Sequence, residues 1–405
     1  MSETQKHKKP NVPNLRFPGF EGEWECSKLS TYLYENKERN RSGEFNKSDV
    51  LSVSGDFGIV NQIQLLGRSF AGKSVADYHI VRTGNIVYTK SPLKEYPYGI
   101  VKYNSGKDGI VSTLYAVYHH RENVNGRFVE HYFASPQRTN RYFKPIVRIG
   151  AKHDMKIGNN EVLDNNVLFP DLEEQNKITD LLDLLDQRIA IQNKVIEDLK
   201  KLKTALCTSL FSQGRTIVVA LSEIGDSFGT MNLSKEDLTD SGTECILYGE
   251  LFTTYGRVIK DVKSRTSIET NGEVTTSGFN DLLFPASTTV DAISLIAPAA
   301  ISKPGVILGG DMFGIRLSPQ YNNRYMSNLL YYCYREELAS YAQGSTIIHL
   351  HYKDIEKLIV MVHPKEYQDQ IADTLDLLDN RIANEQRTVH ALKCQKSYLI
   401  RRLFI

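Results

Sequence analysis

One stretch of this chain, residues 67–74, matches a motif for binding a nucleoside triphosphate. It reads Gly-Arg-Ser-Phe-Ala-Gly-Lys-Ser, the pattern of a phosphate-binding loop. Such a loop needs a buried strand before it and a helix after it, because the N–H groups at the helix N-terminus bind the phosphates. Residues 61–66 are too polar for a buried strand, and Arg82, Thr83 and Gly84 leave no room for an ordinary helix. We therefore expect a basic, flexible loop here.

Metal ligands and nucleophiles are the next residues that could do chemistry. His349 and His351 would face the same side of a strand-like segment, but no third protein ligand for zinc accompanies them. The five cysteines form no Cys-x-x-Cys pair, and neither an Asn-Pro-Pro-aromatic motif for adenine methylation nor a convincing pair of catalytic carboxylates occurs. The sequence predicts no catalytic residue and no metal site, so we expect a chain that is not itself an enzyme.

Basic residues interleaved with aromatic ones indicate binding chemistry instead. Residues 82–156 contain 13 Lys and Arg against 5 Asp and Glu, although the whole chain has a net charge of only +1. Lys and Arg suit phosphates, and polar loop side chains can contact base edges. The alternative is that these charges are merely solvated. The DNA-binding candidates in this half are Lys73, Ser74, Lys90, Ser91, Lys94, Tyr96, Arg148, Lys152 and His153.

The second half is mildly acidic, so any contact with nucleic acid must depend on local clusters of basic and polar residues. Candidates for DNA binding in this half are Tyr255, Arg257, Lys260, Lys263, Thr288, Lys303, Ser345 and Thr346.

Two long helices must position these candidates, because a heptad pattern occurs twice. Apolar residues recur in alternating steps of four and three, which is typical of a helix packed along its length against another helix. Residues 180–190 and 373–383 differ at only two positions. Both copies are polar at the same two steps, Gln192 with Glu385 and Lys203 with Lys396. The apolar positions of the first copy are Ile178, Leu182, Leu185, Ile189, Ile196, Leu199, Leu206 and Leu210, and those of the second lie 193 residues later.

The segments before the two helices share the spacing of a loop and a proline, but the sequences between these shared elements differ. In each half a small-residue loop lies 20 residues before a proline, Pro170 or Pro364, that leads into the helix. Residues 90–98 and 287–293 occupy similar places and have no chemistry in common. This pattern predicts two modules that are built alike and read different targets, and neutral loop drift is the alternative.

Short strands and one helix are predicted in each module. Strands are expected at 50–53, 58–64, 86–88, 99–103 and 114–118, and again at 246–251, 282–284, 306–308 and 313–317. Helices are expected at 125–142 and 322–341. The predicted boundaries are 1–11 for a disordered N-terminus, 12–169 and 214–362 for the modules, and 170–213 and 363–405 for the long helices.

Length indicates more than one domain, and composition indicates the cellular compartment. A chain of 405 residues is too long for one ordinary core. No segment approaches the roughly 20 apolar residues that cross a bilayer, and the polar N-terminus is no secretory signal. Scattered cysteines indicate a reducing setting, so we expect a cytoplasmic protein.

Three groups of residues carry a resemblance to a known family. They are Leu-Arg-Phe-Pro-Gly-Phe-x-Gly-x-Trp at 15–24, Tyr-x-Ile-Val-x-x-Gly-Asn-Ile-Val-Tyr at 78–88, and Asp-Leu-Leu-Asp-x-Arg-Ile-Ala in both long helices. Together they resemble the specificity subunit of Type I restriction–modification enzymes, over about residues 12–405. The resemblance implies a mixed α/β fold in which two strand-rich target recognition domains alternate with two helices, paired as an antiparallel coiled coil with a pseudo-two-fold repeat.

The same resemblance implies a function without catalysis. Each recognition domain would read one half of a bipartite target in double-stranded DNA. Two modification subunits would bring S-adenosylmethionine and methylate adenine, and two restriction subunits would bring ATP-driven translocation and Mg²⁺-dependent cleavage, so this chain would bind no cofactor itself. A P-loop NTPase with a coiled-coil arm is the alternative function, and a purely structural scaffold is a third.

The outer faces of the helices are the predicted docking surface. A helix of about 40 residues is about 60 Å long, nearly two turns of B-DNA, so the helices would set the gap between the two half-sites. Their duplicated faces would bind two copies of one partner; the alternative is that these faces are only solvated. The docking candidates are Asp183, Asp186, Arg188, Asp376, Asp379 and Arg381.

Overall fold

The computed structural model describes residues 11–149, 155–268 and 274–405. The chain divides into two compact units, Met1–Gln192 with Arg387–Ile405, and Asn193–Gln386. Each unit therefore contains one module together with part of each long helix. The predicted disordered segment falls almost wholly on residues 1–10, outside the described residues. No helix in the described ranges is long and apolar enough to cross a membrane.

The first unit is rich in short strands. Its strands are β1 Glu25–Lys28, β2 Leu33–Glu35, β3 Leu51–Ser54, β4 Gly58–Asn61, β5 His79–Val81, β6 Ile86–Thr89, β7 Val101–Tyr103, β8 Gly109–Val111, β9 Tyr115–His120, β10 Arg148–Ile149, β11 Met155–Lys156 and β12 Asn166–Phe169. Its helices are α1 Gln62–Leu66, α2 Gly126–Tyr132 and α3 Pro136–Phe143, followed by the long helix α4 Leu172–Ser212.

An antiparallel sheet in the order β2-β9-β6-β7 forms the centre of the first module. Strand β1 enters the module and pairs antiparallel with β12, which leaves it, so that Glu25 lies opposite Phe169. Aromatic side chains fill the core beside these strands: Trp24 is buried, and its ring centroid lies 6.3 Å from those of Phe128 and Phe404. The module's core is thus completed by the end of the second long helix.

The second unit is also rich in short strands and has the same plan. Its strands are β13 Ile217–Ala220, β14 Gly225–Gly229, β15 Leu238–Thr239, β16 Thr243–Leu247, β17 Val258–Ile259, β18 Ser264–Thr266, β19 Asp281–Pro285, β20 Ser287–Thr288, β21 Ala299–Ile301, β22 Ile307–Gly309, β23 Met312–Leu317, β24 Ile348–His349 and β25 Ile359–Val362. Its helices are α5 Glu250–Thr253, α6 Ala292–Leu295, α7 Asn323–Cys333, α8 Arg335–Ser340 and α9 Tyr352–Ile355, followed by the long helix α10 Lys365–Arg402.

The central sheet of the second module repeats that of the first. It runs β14-β23-β19-β21-β17, and its first four strands are antiparallel neighbours, as in β2-β9-β6-β7. Gly225 lies opposite Leu317, as Leu33 lies opposite His120 in the first module. Strand β13 pairs with β25, which again joins the two ends of the module. The mixed α/β fold predicted from the sequence, with strand-rich modules and two long helices, is confirmed.

The heptad pattern buries the helices against each other within each unit. In the first unit, Leu182 and Leu185 of α4 share a core with Leu392 and Leu403 of α10. In the second, Cys207 of α4 lies in one core cluster with residues near the start of α10, Ile371 and Leu375. Early residues of one helix therefore pack with late residues of the other, which is the antiparallel pairing expected from two copies in one chain.

Two predicted elements of the first module were wrong in type or continuity. The strand expected at 58–64 ends at Asn61, and Gln62–Leu66 is helical because the Asn61 side chain accepts hydrogen bonds from the N–H groups of Ile63 and Gln64. The helix expected at 125–142 is two helices, because Ser135 and Pro136 start a new one.

Similar breaks interrupt two elements of the second module. The strand predicted at 246–251 ends at Leu247, and Glu250–Thr253 forms helix α5. The helix predicted at 322–341 divides at Tyr334 into α7 and α8.

Candidate DNA interface and its attachment to the long helices

Each module is attached to its long helix through an asparagine that begins a helix. In the first unit, the side chain of Asn125 caps α2. Its backbone N–H donates to Gln175 Oε1 at 3.0 Å, and its Nδ2 donates to Asn176 Oδ1 at 2.8 Å. Gln175 is buried on α4 and also donates to the carbonyl of Pro170. One cap therefore fixes the start of α2 to the start of α4.

The second unit contains the same attachment with one substitution. Asn322 caps α7, and its N–H donates to Gln368 Oε1 at 2.8 Å. Its Nδ2 donates to Asp369 Oδ1 at 2.6 Å, where the first unit has an asparagine. Gln368 donates to the carbonyl of His363. Because Gln368 and Asp369 lie 193 residues after Gln175 and Asn176, the duplication includes the contacts as well as the helices.

An arginine two residues after each cap forms a second contact. Arg127 Nη2 lies 2.6 Å from Asp183 Oδ1, and its Nη1 donates to Glu130 at 2.8 Å. His131 Nε2 also bonds Asp183 Oδ1, at 2.8 Å. Burial by itself would raise the pKa of Asp183, but the hydrogen bonds from His131 and Arg127 outweigh it and hold that pKa at about 2. Asp183 is thus a carboxylate facing the module.

Arg324 occupies the corresponding place in the second unit. Its Nη1 lies 2.6 Å from Asp376 Oδ2 and 3.0 Å from Asp373 Oδ1. Burial acts to lower the pKa of Arg324, and the two carboxylates raise it above its ordinary value. Asn328 stands four residues later, as His131 stands four residues after Arg127, and donates to the carbonyl of Arg324. The second attachment therefore has no histidine at that position.

A repeated ion pair joins the two helices in each unit. Lys396 of α10 lies 2.5 Å from Asp186 of α4 in the first unit. Lys203 of α4 lies 2.7 Å from Asp379 of α10 in the second. Both partners of the second pair are related to those of the first by 193 residues. The polar seam positions Lys203 and Lys396 thus have defined carboxylate partners, which favours one register of the pairing.

Four of the six docking candidates are engaged inside their own unit. Asp183 and Asp376 bind the modules, and Asp186 and Asp379 bind the paired helix. Arg188 is exposed on α4. Arg381 is exposed on α10 and lies 2.5 Å from Glu385. The structure gives the four carboxylates an internal role that the sequence did not predict, and docking through this face stays a prediction.

The same cluster has metal-ligand chemistry but a cationic surrounding. His131, Asp183 and Asp186 place one possible ligand atom each within 4.8 Å of one another. Arg127 and Lys396 already neutralise the two carboxylates. A further cation would be repelled there, so these contacts are better explained as the attachment of module to helix.

The DNA-binding candidates of the first module divide into exposed and internally bonded groups. Lys90 Nζ donates to the carbonyl of Ile157 and to Asn159, and burial lowers its pKa. The Tyr96 hydroxyl donates to the carbonyl of Ala134 at 2.7 Å, and burial raises its pKa to about 12. These two side chains support the loop at 90–98. Lys73, Ser74, Lys94 and Arg148 are exposed, and Ser91 is half-buried. Lys152 and His153 lie outside the described residues.

The candidates of the second module divide in the same way. The Tyr255 hydroxyl accepts from the N–H of Lys263, whose side chain is exposed. Lys260 donates to Asn380 at 2.7 Å, and Lys303 pairs with Glu244 at 2.5 Å. Ser345 and Thr346 are exposed, whereas Arg257 and Thr288 are half-buried and line one cavity. Which of them contact DNA stays a prediction.

The segment that matches a phosphate-binding loop has another local structure. Helix α1 precedes it, Gly67 ends that helix with φ 75°, and the next regular element is strand β5 from His79. Residues 67–78 therefore lack the strand before and the helix after that would cradle phosphates.

Sequence reasoning missed the residues that attach the modules. Arg127 and Arg324 each lie two residues after an asparagine and one before an aromatic residue, in Asn-Gly-Arg-Phe and Asn-Asn-Arg-Tyr. That shared tetrapeptide was the available signal. Its function was hidden because the partners, Asp183 and Asp376, lie more than 50 residues away in the sequence.

Comparison with known proteins agrees with this architecture. Residues 217–393 match the family model of the Type I restriction modification DNA specificity domain. The fold is similar to the crystal structure of the Type I restriction-modification system S subunit from M. genitalium, with 15% sequence identity, a TM-score of 0.61, and coverage of 97% of this chain and 99% of that chain. It is also similar to a chain from a structural study of complex assembly and conformational transition of the type I R-M system, with 15% identity, a TM-score of 0.55, and coverage of 97% and 99%. No curated protein matches the sequence.

The fold, with two strand-rich modules that each join two long helices, is the fold of these restriction–modification S-subunit structures. Residues 217–393, which span most of the second module and most of α10, are the part of the chain that matches the Type I specificity-domain model. The resemblance predicted from the sequence motifs is confirmed.

Proposed function

We propose that this chain is the non-catalytic subunit that gives a Type I restriction–modification complex its DNA specificity. Each module reads one half of a bipartite target, and the paired helices set the gap between the half-sites. The observation that carries the proposal is the match of residues 217–393 to the specificity domain, within a fold whose first module repeats the second.

The partners follow from the same proposal. Two modification subunits dock on the duplicated helix faces, with exposed Arg188 and Arg381 in equivalent positions. Two restriction subunits join through them. S-adenosylmethionine, ATP and Mg²⁺ belong to those partners, and this chain supplies base and phosphate contacts.

Mapping of methylated adenines tests the proposal. The chain is produced with its modification subunits in a host that lacks adenine methylation, and the host genome is sequenced for methylated adenine. We expect one bipartite motif with a fixed gap, and we expect exchange of residues 217–362 for those of another specificity subunit to change one half of it only. A continuous motif, or a motif changed in both halves, would contradict the proposal.

A further inference from the structure

A cavity of about 640 Å³ opens in the second module between α5, the loop after β20 and the end of α7. Arg257 and Arg335 form its cationic side, together with the ring of Tyr331. Phe252, Ile296 and Ile347 line its apolar side. The cavity lies wholly within the second unit, and it joins an aromatic wall to two positive charges.

The two guanidinium groups stack on the same ring. The central carbon of Arg257 lies 4.2 Å from the Tyr331 ring centroid, and that of Arg335 lies 4.6 Å from it. Arg257 donates through Nη1 to the carbonyl of Pro298, and Arg335 donates through Nε to the carbonyl of Ile293. Each guanidinium therefore keeps further N–H groups that bond no other part of the chain among the described residues.

The carboxylates that influence these cations are already bonded elsewhere. The charge of Asp379 acts to raise the pKa of Arg257, but Asp379 already accepts two hydrogen bonds from Lys203. Asp291 interacts with Arg335 through space, but it accepts hydrogen bonds from the N–H and hydroxyl of Ser294. Burial lowers the pKa of Arg257 to about 10. A half-buried cation beside a second cation is costly without an anion.

The equivalent arginine of the first module, Arg138, donates a hydrogen bond from each of its three guanidinium nitrogens. Arg138 lies 13 residues after the cap Asn125, as Arg335 lies 13 residues after Asn322. It donates to the carbonyls of Tyr132, Ile400 and Ile405. It serves the packing of its unit. Arg335 makes one such bond, and the freed N–H groups line a cavity instead.

We propose that this cavity binds a phosphate ester, with the phosphate at Arg257 and Arg335 and the attached sugar or base against the apolar side. Planar guanidinium groups match phosphate oxygens with paired hydrogen bonds. A phosphate alone would leave the apolar side empty, so a nucleotide fits the whole lining better. The nucleotide is either free or part of DNA, and the second case rests on the proposed function.

Free nucleotide is tested with the full chain. Adenosine 5′-monophosphate is titrated by calorimetry, with adenosine as the probe that lacks phosphate. If the ligand is a free nucleotide, the monophosphate binds saturably, and Arg335→Gln weakens it about ten-fold or more, because charge-assisted hydrogen bonds are lost. Arg335→Lys retains part of the affinity, and Arg215→Gln, at an exposed arginine outside the cavity, leaves it unchanged.

DNA phosphate is tested in the complex with modification subunits. If the ligand is part of DNA, Arg335→Gln lowers the slope of log affinity against log salt by about 0.9 for each lost phosphate contact, equally for specific and non-specific duplexes. Arg215→Gln keeps the slope. Unfolding midpoints of the variants show that each is folded.

The two experiments distinguish a failed phosphate site from a failed DNA-binding function. An unchanged salt slope together with no monophosphate binding overturns the phosphate site, while sequence-specific DNA binding by the same complexes would leave the proposed function standing. A complex that binds no specific DNA would contradict the proposed function, and monophosphate binding alone would then decide whether the cavity is a phosphate site.

Discussion

A single carboxylate, Asp183, connects α4 to two residues of α2, Arg127 and His131. The second unit repeats the arginine contact through Arg324 and Asp376, but Asn328 replaces the histidine. Two attachments of common origin thus differ in one side chain. The difference is visible when α2 and α7 are aligned by their offset of 197 residues, four more than the offset of the long helices.

The depressed pKa of Asp183 predicts an acid-sensitive first unit. Because the folded-state pKa of about 2 lies below the ordinary value of 3.8, the ionised carboxylate stabilises the fold above about pH 4, and this stabilisation is lost as the pH falls towards 2. We expect Asp183→Asn to lower the free energy of unfolding by about 2 kcal/mol at pH 6. The deficit should shrink between pH 4 and pH 3 in urea unfolding. Asp180→Asn, at an exposed position on the same helix, is the matched control. A deficit independent of pH would contradict the assignment.

The long helices were the elements most fully predictable from sequence. Residues 170–213 and 363–405 were predicted, and Leu172–Ser212 and Lys365–Arg402 are observed. A long heptad pattern determines a helix and its buried face by periodicity alone. The modules were less predictable, because a cap at Asn61 and a proline at 136 redirect the backbone within one or two residues.

The repeated ion pairs make a prediction about helix register. Lys203→Glu places a carboxylate beside Asp379, so we expect the free energy of unfolding to fall by about 3 kcal/mol. Adding Asp379→Lys should restore most of it, because the pair is re-formed with reversed charge. The measurement is the urea midpoint, and Lys200→Glu, at an exposed position of α4, is the control. Failure of the second change to rescue the first would show that the pair does not determine register.

The pair in the first unit provides an independent repetition. Lys396→Glu should likewise lower the free energy of unfolding, and adding Asp186→Lys should restore part of it. We expect this rescue to be smaller than that in the second unit, because Arg127 also lies 3.6 Å from Asp186.

At the scale of the whole molecule, duplication is the main fact that the sequence predicted. It predicted that the loops before Pro170 and Pro364 correspond, and with them the two long helices. The structure adds the correspondence of β1 with β13 and of β12 with β25. It did not predict the individual DNA contacts. Lys90 and Tyr96 show why: both have the right chemistry for DNA, yet both donate to backbone carbonyls of their own module. Contacts between residues far apart in sequence decide which polar side chains stay available.

The proposed role of the helices can be tested by length. Inserting one heptad after Gln192 in α4 and one after Glu385 in α10 keeps the apolar pattern in phase. Each insertion adds about 10 Å of helix, so we expect the gap between methylated half-sites to grow by about 3 base pairs. Seven residues inserted in the exposed turn after Asp240 should leave the gap unchanged. An unchanged gap after the paired helix insertions would refute the role of the helices as spacer.

The division of the chain also sets an order of events during synthesis. Asn193–Gln386 is continuous, so all residues of the second unit are made before Arg387. The first unit begins at the N-terminus but includes Arg387–Ile405, and its aromatic core contains Phe404. Domains commonly fold as they emerge, the N-terminal one first. Here the first module waits for residues that are made after the whole second unit, so a chain truncated after Gln386 would keep its second unit whole and leave its first unit open.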